Sequence, residues 1–86
     1  MQTLPIQLPD QLSAIAQIIR QDWKNIYFGA VPYLQAMYSL NSVQDNYGAD
    51  SAKSIVLYFL ANAKAWRGDT ARAVKKHLQQ IIKAAR

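Results

Sequence analysis

His77 is the only imidazole in the chain and cysteine is absent, so acid–base or nucleophilic chemistry would have to run through one ring or through the five aspartates. A metal centre needs several His, Cys or carboxylate ligands at suitable spacing, and the sequence groups none. A nucleophilic serine needs an activating base, and no Gly-x-Ser-x-Gly elbow occurs. Ser51 and Ser54 read instead as first-turn helix residues. The three glycines lie too far apart to cradle a phosphate, and the carboxylates are too scattered to face one another across a cleft. No catalytic, metal or cofactor-binding residue is assigned, no cofactor is expected, and the chain reads as a non-enzyme. His77, off the apolar arc of its helix, is expected to face solvent.

The aspartates have a simpler use. Glutamate is absent, and Asp10, Asp50 and Asp69 each sit where a helix could start, the position at which a short carboxylate accepts from free backbone N–H groups. Asp22 breaks this pattern, because its direction falls in the middle of an apolar arc. A buried carboxylate must be paired, since leaving it unpaired costs several kcal/mol. Asp22 is therefore expected to be a buried polar group bonded to Arg67, a tyrosine hydroxyl or a helix N-terminus, the alternative being exposure at the end of the arc.

The elements that would position these residues are helical. At about 100° per residue, Leu12, Ile15, Ala16, Ile18, Ile19, Trp23 and Ile26 share one face, which predicts a first helix over about 10–26 after an extended lead-in at 1–9. Pro32 suits the first turn of a second helix over 31–40, whose face is Tyr33, Leu34, Met37 and Leu40. A loop with one helical turn follows, ending at Tyr47-Gly48. A third helix is predicted over 50–66. Its main face holds Ala52, Ile55, Val56, Phe59, Ala63 and Trp66, while Leu57, Tyr58 and Leu60 spread apolar surface nearly all round, as in a central helix. Gly68 is expected to close it and to begin a very short turn into a fourth helix over 70–85, with Ala71, Val74, Leu78, Ile81, Ile82 and Ala85 on one arc. The expected fold is all-α: one domain, a small bundle of four helices around a hydrophobic third helix. No alternating pattern suggests a sheet.

Composition agrees with one packed core. The chain has 86 residues, 51% of them hydrophobic and 17% charged, the reverse of the balance that prevents folding. The longest apolar run, Ile55 to Ala61, has seven residues, whereas a membrane-spanning helix needs about 20. Met1 to Gln11 shows no basic segment followed by an apolar stretch, and a cytoplasmic location is expected. Of the cations, seven lie from Lys64 onward against Asp69 alone.

Five of these, Arg72, Lys75, Lys76, Lys83 and Arg86, project within about 100° of one another on the fourth helix, beside its apolar arc. This ridge is the candidate macromolecule-binding surface. Neutralising about five phosphates would give a salt slope near −4 to −5 on duplex DNA. A helix-turn-helix fits poorly, because Asp69 follows the glycine where an apolar residue is usual and Trp66 crowds the turn. Trp23, Tyr33, Phe59 and Trp66 lie on apolar arcs and read as core rather than as a platform for bases. The fourth helix lacks an aromatic anchor for a membrane surface, and Arg67-Gly68-Asp69 reads as helix capping rather than an adhesion tripeptide.

Three stretches, Asp22-Trp23, Pro32-Tyr33-Leu34-x-x-Met37 and Tyr58-Phe59-Leu60-x-Asn62-Ala63-x-x-Trp66-Arg67-Gly68, together resemble small uncharacterised helical proteins of phages and mobile elements of Gram-positive bacteria. The resemblance implies a bacterial cytoplasmic setting and a small regulatory or accessory role, and brings no site residues. The leading expectation is a non-catalytic interaction module that binds a protein partner. The alternative is a nucleic-acid-binding accessory protein using the basic face of the fourth helix. A homodimer through exposed Leu57 and Leu60 is a third reading.

Overall fold

The structure, a computed structural model, describes residues 8–84, and Tyr47 through its backbone alone. Most of the 1–9 lead-in, together with Ala85 and Arg86, lies outside the described residues. Four α-helices are present within them: α1 (Leu12–Asp22), α2 (Val31–Met37), α3 (Ala52–Ala61) and α4 (Asp69–Ala84). A 3₁₀ turn at Phe28–Ala30 leads into α2, and a two-residue hairpin, β1 (Asn46–Tyr47) with β2 (Asp50–Ser51), leads into α3. A hydrogen-bonded turn over residues 42–45 stands where a single helical turn was expected, and the hairpin, which was not expected, follows it. Its loop has Gly48 at φ +61° in the first central position, the placement a type II′ turn requires.

The principal helix contacts form a ring in which α1 packs on α2 and α4, and α3 packs on the same two neighbours. Leu12, Ile15 and Ile19 of α1, Leu34 and Met37 of α2, Val56 and Phe59 of α3, and Val74 and Leu78 of α4 fill its centre. No charged or polar side chain is buried with them among the described residues.

The helix starts show why local sequence misplaced the caps. Gln11, at the N-terminus of α1, makes no side-chain cap; the Leu12 and Ser13 amides donate instead to the carbonyls of Asn41 and Leu40, at 3.2 and 2.9 Å. The orphan donors of this helix are met by the segment that follows α2. Ser51, not Asp50, caps α3: its Oγ accepts from the Ser54 amide at 3.1 Å and donates to Ser54 Oγ at 2.9 Å. Asp69 lies inside the first turn of α4, where a carboxylate suits the helix dipole.

Three helices end earlier than their apolar arcs predict; α2 stops at Met37 rather than at about 40, with Leu40 buried from the turn that follows. Trp23 is extended, at φ −92° and ψ 96°, and its amide closes α1 on the Ile19 carbonyl. Asn62 ends α3 by donating from both its amide and its side-chain Nδ2 to the Tyr58 carbonyl, the competition with helix continuation that asparagine offers. Residues 62–68 then form a longer connection than the tight turn expected. Gly68, at φ +112°, terminates that connection rather than α3 itself. No helix among the described residues is long and apolar enough to cross a membrane.

Candidate functional site

The 62–68 connection folds Trp66 back into the core, where only 2% of it is accessible. Its ring stacks on Trp23 with centroids 5.8 Å apart and planes 9° from parallel, and Trp23 in turn meets Phe59 edge-on at 6.3 Å. These offset and edge-to-face arrangements are the favoured geometries of aromatic pairs. Lys75 covers the outer side of the column. Its Nζ donates to the Trp66 carbonyl at 2.6 Å and lies 5.9 Å from the ring centroid, within cation–π range. Burial, and secondly the Arg67 guanidinium nearby, hold the Lys75 ammonium below the usual 10.5.

This column corrects the expectation for Asp22 and Arg67. Trp66 Nε1 donates to Asp22 Oδ2 at 2.8 Å, so the partner is an indole. Neither Asp22 nor Arg67 is buried. Asp22 is the last residue of α1, and at that end its carboxylate meets the indole N–H on one side and stays exposed.

The basic ridge is divided. Arg72, Lys76 and Lys83 are exposed on α4, Arg72 with a 2.8 Å ion pair to Asp69. Lys75 borders the apolar arc most closely and is drawn half inside. Arg86 lies outside the described residues. Two further cations, Lys64 and Arg67 of the connection, stand at the foot of the ridge and face a groove of about 250 Å³ shared with Arg72 and Lys75.

His77 does not simply face water. Its side chain is 21% accessible, and Nε2 lies 2.9 Å from the Pro9 carbonyl and 3.2 Å from Asp10 Oδ1. The ring therefore ties the segment before α1 to α4, and Asp10, expected to cap α1, sits in this contact instead.

Sequence periodicity missed an aromatic surface. Phe28 is 80% exposed, Tyr58 53%, Leu57 48% and Tyr27 45%. Tyr27 and Phe28 contact each other at 4.9 Å between centroids, and Tyr58 lies 5.5 Å from Tyr33. Gly29 makes room for the first pair: a Cβ there would stand 2.5 Å from Tyr27 Cε2 and 3.0 Å from Asn62 Oδ1. The Tyr27 ring is thus seated beside Asn62, at the end of α3. The one signal in the sequence was the placement of Leu57 and Tyr58 off the main face of their helix; Leu60, grouped with them, is half-buried against the core. Tyr27 precedes a short 3₁₀ turn and Phe28 opens it, and neither belongs to a longer helical pattern.

The chain matches no family model, no curated protein and no solved structure.

Proposed function

We propose that this chain is a non-catalytic helical interaction module that binds a macromolecular partner in the cytoplasm, in an accessory role of the kind its phage-protein resemblance implies. The observation that carries this reading is the exposure of Tyr27, Phe28, Leu57 and Tyr58, whereas the other large apolar side chains among the described residues are buried or half-buried. Exposed aromatics of this kind are the usual anchors of protein interfaces. In this proposal α3 is the hub: Phe59 and Val56 hold the core from its inner face, and Leu57 and Tyr58 present its outer face. Affinity purification of tagged chain from its host tests the reading. A partner retained by the parent and lost from Phe28→Ser and Tyr58→Ser variants supports it, and identical recovery from all three removes it. Self-association through Leu57 is tested by light scattering, where a monomer at high concentration excludes it.

A second reading, nucleic-acid binding by the basic face of α4, is favoured by the exposure of Arg72, Lys76 and Lys83 along one side of that helix. Such contacts would be to phosphates and steeply salt-dependent. Absence of binding to duplex and to single strands alike, even at low salt, would end it.

A further inference from the structure

We infer that the aromatic surface and the cations beside it form one track for a single-stranded nucleic acid. This inference rests on the second reading, and adds to it the residues that hold bases and the strand state they select.

The continuity is geometric. Tyr27 borders a groove of about 340 Å³ that also meets Asn62 and Lys64. Lys64 borders the next groove as well, the one it shares with Arg67, Arg72 and Lys75. From Phe28 the surface therefore runs over Tyr27 to Lys64, then to Arg67 and on to Arg72 and Lys75 at the start of α4. No carboxylate lines either groove, and among the described residues neither Lys64 nor Arg67 is paired with one. Asp69 stands at the edge and is engaged by Arg72.

Rings and cations in succession match the two repeating parts of an unpaired strand. Every base offers a π-face to an exposed ring, and every linkage offers a negative phosphate to a cation. Duplex DNA offers the phosphates, but its bases are already stacked on one another and leave nothing for Phe28 to hold. A second copy of the chain is disfavoured at this surface, because it would bring Lys64 and Arg67 toward the same charges on a molecule of net charge +5. The Lys75 ammonium, capped by the Trp66 carbonyl with one of its three protons, keeps two for a phosphate oxygen.

The test is fluorescence anisotropy of the full chain with a labelled oligothymidylate, an oligouridylate and a duplex of matched length, each at low and moderate salt. Single strands should bind more tightly than duplex, with a slope of log affinity against log salt near −3, the value about four phosphate contacts produce on single strands. Phe28→Ala should weaken binding about tenfold, the loss of one stacked base, with an unchanged melting temperature. Lys64→Gln should flatten the salt slope by about 0.7. If duplex binds as well as single strands, Phe28→Ala is neutral and only a Lys76/Lys83 double alanine variant loses affinity, the inference is overturned while the α4 reading stands. If nothing binds at low salt, both fall. If Phe28→Ala changes only a dimer or a protein complex, the aromatics belong to that partner and the inference is likewise overturned.

Discussion

Trp66 lies flat against Trp23 and, from the edge of the same ring, donates its indole N–H to Asp22 at 2.8 Å. One side chain thus joins the end of α1 to the connection between α3 and α4. Truncating it to alanine removes a buried ring of the size that costs about 3–5 kcal/mol. Asp22 is at the surface, where water takes the place of the lost acceptor beside the indole N–H, so Asp22→Ala should cost only about 1 kcal/mol. Urea denaturation of both variants checks the ranking. Equal losses would mean that the carboxylate is buried after all.

The start of α3 distinguishes two adjacent candidates for its cap. Ser51 accepts from the Ser54 amide, while Asp50 is exposed and makes no such bond. Ser51→Ala is expected to lower stability by about 1 kcal/mol, and Asp50→Ala by less than about 0.5 kcal/mol. Thermal melts of the pair read this directly, and a larger effect at Asp50 would reverse the assignment.

How far the sequence carried these conclusions varied from helix to helix. The apolar residues of α4 recur with helical period, and Ala71, Val74, Leu78 and Ile82 are buried as that period predicts. In α1 and α3 the same reasoning ran past the true ends, because Trp23 and Trp66 have the right direction for a helical face but reach the core from extended or irregular backbone. Periodicity records that a side chain is buried and cannot record which backbone delivers it. Caps were misplaced for a related reason: α1 is capped by carbonyls of residues 40 and 41, a contact between distant segments. The ridge cations Arg72, Lys76 and Lys83 were legible from spacing on one helix. Tyr27 and Phe28 were not, since their exposure follows from a 3₁₀ turn and from the missing Cβ of Gly29.

Lys75 makes stability depend on pH in the alkaline range. Its folded-state value lies below 10.5, first through burial and then through Arg67. Between the folded value and 10.5 the unfolded chain binds more protons, so stability rises with pH across that window. The penalty of holding the ammonium is complete below the folded value and gone above 10.5. Arg67→Ala removes the second cause, which should move the Lys75 midpoint upward and narrow the window. A titration of the Lys75 ε-carbon resonance in both proteins measures it, and an unchanged midpoint would show that burial acts alone.

His77 makes a local prediction of a different kind. Its Nε2 faces two acceptors, the Pro9 carbonyl and the Asp10 carboxylate, so this nitrogen carries a proton and donates. His77→Ala deletes that donor and frees the segment before α1 from α4, at a cost of about 1 kcal/mol. The amides next along the chain, Leu12 and Ser13, are held only by the carbonyls of Asn41 and Leu40. Their hydrogen exchange should therefore accelerate, because local opening frees the amides nearest the lost contact first. Val56 and Phe59, fully packed in α3, should keep their protection. His77→Gln, which restores an N–H donor on a longer side chain, should recover part of the loss at Leu12 and Ser13. Faster exchange at α3 as well would instead make His77 a support of the whole core, and no change at Leu12 would mean that the contact to Pro9 does not persist in solution.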